Sequence, residues 1–522
     1  MIGIVNHSDE EGFTFISNER LPSGMFACYH EANWKILCRV KHAEPLNEYP
    51  QEFLMDMELS ADDVSAFYGL DPQDFKYYTY SAAVVGYFDA AMGEFINPRT
   101  NPLCGAKIER AGVDVLKDIS KVKAGVSGSA SVGNVFGEDT EIVLSVRDIV
   151  SQHVSVIAST GAGKSYTVGV LVEELLKPYN MAPVLILDPH GEYSTLNEIQ
   201  NKPEFITPSY RPKVKTVKPE TIKIRISDLS VSDFISIMDD GTMSDKMKTL
   251  FRSSYHNLKN NSKKKFIRNE LKQEIEALRD SSNESTIEGI MWRFGKLYGS
   301  IFDDFQTIPL ADYFKVGQLT IMDVSGIEEG FQQLIASVML RRLFDAREGT
   351  ENNKYNESHV DKFLPYPVFV VIEEAHRFAP HSGEAKSKSI LKTILSEGRK
   401  FGVGVCLVSQ RPSKLDADSL SQCMTQITMR IINPTDQQQI AQSIESASRD
   451  MISELPSLAK GQAIISGVAI NTPTLVRIRK RLTSDTKGRS KDAPAMWQAQ
   501  RKYEEKHEAP EVKADEEMDV GV

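Results

Sequence analysis

Residues 154–167 read Val154-Ser155-Val156-Ile157-Ala158-Ser159-Thr160-Gly161-Ala162-Gly163-Lys164-Ser165-Tyr166-Thr167. The apolar start predicts a buried strand, the small residues predict a tight loop, and the run from Val168 to Leu176 predicts a helix. A strand, a glycine-rich loop and a helix that begins with Lys-Ser form the phosphate-binding loop, or P-loop. Its backbone N–H groups bind anions, so we expect Lys164 to reach the outer phosphates of a triphosphate and Ser165 to ligate Mg²⁺. The candidate nucleotide-binding residues are Thr160, Gly161, Ala162, Gly163, Lys164, Ser165 and Tyr166.

Ala158 occupies the position where this loop pattern usually has its first glycine. Glycine is required only where φ is positive or where the backbone approaches another group very closely. We therefore expect Ala158 to be accepted with a negative φ. The flanking strand and helix favour a true P-loop over a chance match.

Two adjacent carboxylates follow the most apolar predicted strand of the chain, residues 367–372. Glu373 and Glu374 at the carboxyl end of this strand form the Walker B arrangement. We expect Glu373 to hold Mg²⁺ through water and Glu374 to polarise the attacking water. Glu373 stands where P-loop enzymes usually have Asp, so the metal shell must accommodate one more methylene. Helix N-capping is the alternative for either acid alone, and the pair disfavours it.

Two polar residues flank the next predicted strand, residues 403–408. Gln410 follows the strand, where a side-chain amide is suited to sensing the γ-phosphate and orienting water. Arg399 precedes the strand, whereas doubly wound sheets bind ligands at the carboxyl ends of their strands. We therefore predict that Arg399 serves the nucleotide of a neighbouring subunit in a head-to-tail ring. A surface ion pair with Glu397, or a contact with the helix C-terminus, is the alternative.

The chain has 522 residues, of which 61 are basic and 72 acidic, for a net charge of −11. This length can hold two or three domains, and the acidity excludes a surface with general nucleic-acid affinity while allowing local basic surfaces. Five scattered cysteines without a C-x-x-C spacing indicate neither a disulfide framework nor a zinc site. There is no signal-peptide layout and no apolar run near the roughly 20 residues that span a bilayer. We therefore predict a cytoplasmic protein without membrane contact.

The pattern of strands and helices divides the chain into five parts. Residues 1–110 carry short β-leaning runs with turn signals, which predicts a small barrel or sandwich for assembly or docking. Residues 111–227 and 316–482 alternate strands with helices and are predicted to form one α/β core. Between these two parts, residues 228–315 are predicted to form a helical insertion. Residues 483–522 are predicted to form an acidic, partly disordered tail.

Two segments admit two interpretations each. The cluster Asp188-Pro189-His190-Gly191-Glu192-Tyr193 follows a second buried strand, so Asp188 serves either a ligand or the turn itself. The insertion is basic and contains Phe251, Tyr255 and Phe266. This combination suits nucleic-acid binding by phosphate contact and base stacking. A solvated helix surface is the favoured interpretation, because acidic residues partly neutralise the run.

Five motifs together resemble the HerA family of hexameric DNA translocases and helicases, within the HerA/FtsK group of P-loop ATPases. The motifs are Ala158-Ser159-Thr160-Gly161-Ala162-Gly163-Lys164-Ser165, Asp188-Pro189-His190-Gly191-Glu192-Tyr193, Ile372-Glu373-Glu374-Ala375-His376, Glu397-Gly398-Arg399-Lys400-Phe401-Gly402-Val403-Gly404 and Ser409-Gln410-Arg411-Pro412. Their order and spacing are similar over residues 125–480. The resemblance implies an α/β fold with a RecA-like P-loop ATPase core, a small N-terminal β-barrel similar to a HAS-barrel, and a helical insertion.

The resemblance also implies a function. It implies a homohexamer that hydrolyses ATP with Mg²⁺ and translocates on double-stranded DNA. The implied partner is a NurA-like nuclease in DNA end processing or an effector in antiviral defence. The resemblance assigns Ser165 and Glu373 to the metal, Glu374 and Gln410 to catalysis, and Arg399 to the trans-acting arginine. Family members can carry Arg where this chain has Gln152, so the role of that arginine is either missing here or taken by another residue, for which Arg147 is the candidate.

Three functions remain open at this point. The favoured one is the DNA motor, with the loop from Arg377 to Lys388 as a candidate DNA contact. The second is a protein- or conjugation-associated pump ATPase of the same branch. The third is a nucleotide-gated scaffold, a hexameric ring that recruits and regulates an effector without moving DNA.

Overall fold

A computed structural model describes most of the chain. The described residues are 1–9, 12–46, 63, 66, 77–239, 241–261, 265–299, 301–307, 309–443, 449–485 and 493–507. Lys263 and Lys264 of the predicted basic insertion lie outside them, and so do residues 508–522 of the predicted acidic tail. The described part of the tail contains a helix, Ala493–His507.

The first seven strands form a closed barrel with one added strand. Strands β2, β1, β7, β3, β4 and β5 pair in that order, and β2 also pairs with β5, so six strands close into a ring that β6 extends. Phe15, Tyr29 and Tyr80 fill the interior, and the rings of Phe15 and Tyr80 stack with centroids 5.4 Å apart. The bounds are β1 Gly3–Ser8, β2 Phe13–Ser17, β3 Phe26–Glu31, β4 Trp34–Pro45, β5 Tyr78–Asp89, β6 Glu94–Ile96 and β7 Lys107–Arg110.

The other strands form one large sheet and one small pair. The large sheet has the order β12-β15-β11-β16-β17-β10-β18-β19-β20-β8-β9, and β13 pairs with β14. The bounds are β8 Ser129–Val135, β9 Glu141–Ser145, β10 Val154–Ile157, β11 Val184–Asp188, β12 Lys213–Val217, β13 Ile224–Arg225, β14 Phe302–Asp303, β15 Gln318–Asp323, β16 Val368–Ile372, β17 Val403–Ser409, β18 Thr425–Thr428, β19 Gln462–Gly467 and β20 Thr474–Ile478. Neighbours from β12 to β18 are parallel, so their carboxyl ends share one edge of the sheet.

A hydrophobic core lies on each face of the large sheet. Side chains alternate along a strand, so Val184 and Ile186 enter one core while Leu185 and Leu187 enter the other. The helices that complete these cores and the insertion are α1 Val113–Leu116, α2 Val146–Gln152, α3 Lys164–Leu175, α4 Val231–Met238, α5 Asp245–Asn261, α6 Arg268–Ala277, α7 Glu284–Phe294, α8 Leu310–Tyr313, α9 Glu329–Glu351, α10 Lys388–Phe401, α11 Ala417–Ser421, α12 Pro434–Ser443 and α13 Arg449–Glu454, with α14 Ala493–His507 in the tail.

The insertion is helical, but its aromatic residues do not form a stacking surface. Phe251, Tyr255 and Phe266 are buried, and all three rings pack around Phe234. The interpretation of these three rings as a base-stacking face is therefore wrong. Amphipathic helices turn their large apolar side chains into the core and leave the basic residues at the surface.

The predicted fold class is confirmed: an α/β P-loop core, a small N-terminal barrel and a helical insertion. The domain limits stay predictions. In the described ranges, no helix is both long enough and apolar enough to cross a bilayer.

Candidate active site

The P-loop joins the end of β10, the middle strand of the eleven-stranded sheet, to the start of α3. Gly161 and Gly163 have φ values of 79° and 112°, a region that favours glycine, and Gly163 is the N-cap of α3. Ala158 is buried and is not among the described residues with positive φ. The expectation that alanine is accepted there with a negative φ is confirmed.

Lys164, the first residue of α3, joins the P-loop to the Walker B acids. Its ammonium group donates to Glu373 Oε1 and, at 2.8 Å, to Glu374 Oε1. Burial opposes the charge on this lysine, which is 6% exposed, yet the two carboxylates hold the pKa of Lys164 above its ordinary value. The strand order brings these groups together, because β17 alone separates β10 from β16.

Glu373 is fully buried at the carboxyl end of β16. Its Oε2 accepts a hydrogen bond of 2.5 Å from the hydroxyl of Tyr193, and its Oε1 accepts from Lys164. Burial raises the pKa of Glu373 to about 7, although Lys164 and Tyr193 both act in the opposite direction. This carboxyl group can therefore gain or lose its proton near neutral pH.

Glu374 has one satisfied carboxylate oxygen and one that accepts no hydrogen bond. Its Oε1 accepts from Lys164 and from the side-chain amide of Gln410. Its Oε2 is buried without a hydrogen-bond donor among the described residues, and His376 Nδ1 lies 3.3 Å away. Burial alone would raise the pKa of Glu374, but Lys164, His376 and Gln410 hold it below its ordinary value. The result is an ionised carboxylate with a free acceptor oxygen.

Glu374 also has an unusual backbone. Its φ of 51° and ψ of 47° lie in the left-handed region, which a non-glycine residue adopts at an energetic cost. Gln410 follows β17 and contacts the P-loop as well, because Thr160 Oγ1 donates to Gln410 Oε1 at 2.6 Å. The amide of Gln410 therefore links the loop to the acid.

The cluster after β11 supplies two functional residues that our sequence reasoning did not assign. Glu192 accepts a hydrogen bond from the Ser165 hydroxyl, and Tyr193 donates to Glu373. Asp188 forms the turn that presents them, because its carboxylate accepts the backbone N–H groups of His190, Gly191 and Tyr193 at 3.2, 2.8 and 3.1 Å. The structure therefore supports the interpretation that Asp188 serves the turn. In the sequence, Glu192 and Tyr193 were indicated only by their place in a charged cluster at the carboxyl end of a strand.

A cleft of about 970 Å³ opens over the P-loop. Residues 159–161, 163–166, 190–192 and Gln410 line one side of it. The other side is formed by the β8–β9 turn and by segments around Lys460 and Arg479, none of which the sequence motifs indicate. Arg479 is held by the carboxylates of Glu173 and Glu174 at 2.9 and 2.8 Å, which ties the last strand, β20, to the P-loop helix.

Three polar positions lie away from this cluster, at the amino end of the strands. Arg399 is exposed in the last turn of α10, just before β17 begins at Val403, and its side chain makes no hydrogen bond or ion pair with any residue the structure describes. Arg147 is exposed in α2, and Gln152 ends that helix immediately before β10. The structure brings none of the three to the nucleotide cleft of its own chain.

The donor set of the cleft fits a nucleoside triphosphate with Mg²⁺. Backbone N–H groups at a helix N-terminus and the ammonium of Lys164 suit phosphate. The Ser165 hydroxyl and the carboxylates of Glu192 and Glu373 are oxygen ligands, the kind that Mg²⁺ prefers. The Oε2 of Glu374 accepts no hydrogen bond from the described residues, although His376 Nδ1 lies 3.3 Å from it.

The chain is similar in sequence to known helicases. The family model "Helicase HerA, central domain" matches residues 130–343. The chain is 31% identical over 396 residues to "Probable helicase MJ1565" of Methanocaldococcus jannaschii, covering 73% of this chain and 72% of the relative. It is 31% identical over 389 residues to "DNA double-strand break repair helicase HerA" of Pyrococcus furiosus, covering 65% and 67%.

The fold of the core also matches a solved structure. VirB4 of Thermoanaerobacter pseudethanolicus superposes with a TM-score of 0.50 at 11% identity, covering 69% of this chain and 98% of that one. At this identity the likeness concerns the fold alone.

A P-loop, an acid pair and a polar sensor at the carboxyl edge of a parallel sheet define a P-loop ATPase. The predicted enzyme class, an ATP hydrolase, is confirmed at this level, and the donor set of the cleft fits the predicted cofactors, ATP and Mg²⁺. The chain belongs to the HerA helicase family.

Proposed function

We propose that the protein is a Mg²⁺-dependent ATPase that drives translocation along double-stranded DNA as a homohexameric ring. One observation carries the proposal: Lys164, Glu374 and Gln410 converge at the carboxyl edge of the sheet, and Glu374 keeps one buried oxygen that accepts no hydrogen bond from the described residues. This is the geometry that ATP hydrolysis requires, because phosphoryl transfer depends mainly on positioning and charge stabilisation. Membership of a helicase family supports DNA as the polymer along which the ring moves.

The residues of the cleft have different roles in ATP hydrolysis. The N–H groups of residues 160–166 hold the phosphates, and Lys164 exchanges a carboxylate partner for an outer phosphate oxygen. Ser165 and Glu373 hold Mg²⁺, which when bound neutralises charge on the phosphate oxygens. Glu374 Oε2 accepts the proton of the attacking water, and Gln410 orients that water while sensing the γ-phosphate.

Arg399 completes the site from a neighbouring protomer. An arginine finger commonly stabilises the charge that develops on the γ-phosphate. Arg399 is exposed and lies at the amino end of β17, opposite the cleft of its own chain. It therefore serves the next subunit in a head-to-tail ring, which closes as a hexamer.

DNA and a partner enzyme complete the proposal. The chain works with a NurA-like nuclease in DNA end processing or with an effector in antiviral defence. The loop from Arg377 to Lys388 is a weak candidate for the DNA contact, because Arg377 is paired with Glu329 at 3.2 Å and Lys388 with Asp416 at 3.2 Å. Other basic residues of the ring interior must then carry most of the contact.

The test measures ATP turnover by the full chain with and without linear duplex DNA, together with displacement of a triplex-forming strand from that duplex. Duplex-stimulated turnover and ATP-dependent displacement are expected, and Lys164→Ala serves as the inactive control. Turnover that duplex leaves unchanged, without displacement, would overturn the motor. It would favour the nucleotide-gated scaffold, which an ATP-dependent change in effector binding then detects.

A further inference from the structure

A second cleft lies far from the nucleotide site, where the edge strand β12 meets the helical insertion. It has a volume of about 740 Å³, and residues of β12, residues 221, 223 and 225, and residues 305–307, 309 and 312 contribute to its lining. β12 is the last strand of the large sheet on this side, and four parallel strands separate it from the P-loop strand β10. A ligand in this cleft does not touch the ATP site.

The chain around this cleft is basic although the protein as a whole is acidic. Residues 211–225 contain six basic residues and a single acid, Glu220, in a chain whose net charge is −11. Lys215, Lys223, Arg225 and Lys265 line the cleft, as do two carboxylates, Asp312 and Asp361. These groups are the charged residues of the described lining, so cations prevail there.

The two carboxylates of the lining neutralise Lys215 and Lys265 only in part. Asp361 lies 3.8 Å from Lys265 and 4.0 Å from Arg225, and Arg225 is held mainly by Asp228 at 2.9 Å. Asp312 pairs with Lys315, 3.2 Å away. The ammonium of Lys215 donates to the backbone carbonyl of Asp312 at 3.4 Å and lies 5.8 Å from the centroid of the Tyr313 ring, and neither contact supplies a negative charge. Lys265 keeps a side-chain exposure of 64%.

A large exposed aromatic ring lies beside these cations. Phe305 lines the cleft and is 75% exposed, in contrast to the buried rings of the insertion core. The Asp303 side chain fixes the backbone of this turn by accepting the N–H groups of Phe305 and Gln306 at 2.8 and 2.7 Å. The hydroxyl groups of Thr216 and Thr221 add polar groups to the wall.

We propose that this cleft binds single-stranded nucleic acid outside the ATP site. Lysines track the phosphates, and Phe305 provides a platform on which one base stacks. This combination of a basic groove and an exposed ring is how proteins hold single strands without sequence preference. A duplex presents phosphates but no free base face, so the exposed ring favours a single strand over a duplex. An acidic protein segment would use the cations but not the ring.

Binding of a fluorescein-labelled 20-nucleotide oligothymidylate to the full chain tests the proposal, in the absence of nucleotide and over a range of salt concentrations. For Lys215→Gln/Lys223→Gln/Lys265→Gln we expect at least about tenfold weaker binding and a salt slope smaller by about 2, since each single-strand phosphate contact contributes roughly 0.7. Phe305→Ala is expected to weaken binding at least about fivefold with an unchanged salt slope.

Two controls sharpen the result. Lys117→Gln/Lys121→Gln/Lys123→Gln removes the same charge from an exposed segment elsewhere, and should leave both affinity and salt slope unchanged. An oligothymidylate carrying 5-iodouracil should photocrosslink to Phe305. ATP turnover without DNA should match the unmodified protein in every variant, because none of these residues belongs to the ATP cleft.

The proposal fails if the cleft variants bind oligothymidylate as the unmodified protein does, because the strand then binds elsewhere, for example inside the ring. It also fails if an oligoglutamate of equal charge displaces the oligonucleotide as well as unlabelled oligothymidylate does and Phe305→Ala has no effect. That outcome would assign the cleft to an acidic protein partner. Both outcomes are independent of translocation, so they are distinguishable from failure of the motor.

Discussion

The two ends of the parallel sheet place their cations in opposite surroundings. At the carboxyl edge, Lys164 is buried and donates to Glu373 and Glu374. Beyond the amino edge, Arg399 is exposed and has no side-chain partner among the described residues. A buried charge requires a partner within its own chain, whereas an exposed arginine does not. The carboxyl edge therefore balances the charge of its lysine within one chain, whereas the amino edge leaves the charge of Arg399 at the surface.

The first prediction tests that contrast most severely. Arg399→Ala should lower kcat by about 10³- to 10⁵-fold, the range of an arginine finger, while ATP binding and ring assembly stay intact. ATP turnover, equilibrium binding and sedimentation provide the three measurements. Lys400→Ala is the matched control, because Lys400 is exposed in the same helical turn and should be silent.

Mixed rings separate a catalytic role of Arg399 from a structural one. Subunits carrying Arg399→Ala should regain turnover when mixed with Lys164→Ala subunits, because some interfaces then pair an intact Lys164 with a neighbour's intact Arg399. If rings that have demonstrably exchanged subunits show only the sum of the two mutant activities, Arg399 is structural and the contrast between the two edges is lost.

The second prediction concerns Glu374 at the carboxyl edge, which accepts from Lys164 and Gln410 of its own chain. Glu374→Gln should reduce turnover by about 10²- to 10⁴-fold, because it removes the acceptor for the proton of the attacking water. Binding of Mg²⁺-ATP should persist, since Lys164 and the loop are unchanged. The control is Glu397→Gln, an exposed acid near Arg399. Full turnover in Glu374→Gln would remove Glu374 from the chemistry.

A third prediction concerns Tyr193, whose hydroxyl donates to Glu373 at the carboxyl edge. Tyr193→Phe removes the hydrogen bond to Glu373 Oε2, and it should weaken Mg²⁺ affinity in the presence of ATP by about 10- to 100-fold. Tyr210→Phe is the matched control, because Tyr210 is also a buried tyrosine whose hydroxyl donates, in its case to the Leu176 carbonyl. Equal Mg²⁺ affinities in Tyr193→Phe and the unmodified protein would show that Glu373 holds its position without help.

The smallest effect is a pH dependence. Because burial raises the pKa of Glu373 to about 7, this carboxyl group is protonated below that pH. A metal ligand must be deprotonated, so Mg²⁺-ATP binding should weaken by up to about tenfold per pH unit as the pH falls below 7. Titrations from pH 6 to 8.5 should show this inflection. Glu373→Gln should abolish it, and an inflection that survives the substitution belongs to another group.

Short sequence motifs predicted the site residues that directly follow a strand. The P-loop, Glu373, Glu374 and Gln410 each follow a strand whose apolar run is visible in the chain, and parallel strands place their carboxyl ends together. The roles of Glu192 and Tyr193 depend on β11 lying beside β16, and no local pattern reports that strand order. The burial of Phe251 and Phe266 likewise depends on which helix face meets the insertion core. The sequence showed the composition of that segment, not its orientation.

The closure of the N-terminal barrel has a consequence for the evolution of its contacts. Because β2 pairs with β5, the six strands of the ring satisfy one another, and in the described part of this domain only the three-residue β6 extends beyond the ring. A visiting polypeptide therefore cannot extend this ring with a strand of its own, and recognition there must rely on outward side chains and loops. Such positions change by single substitutions without disturbing the backbone ladder. The outward-facing positions of the barrel can therefore diverge while the P-loop core stays the same.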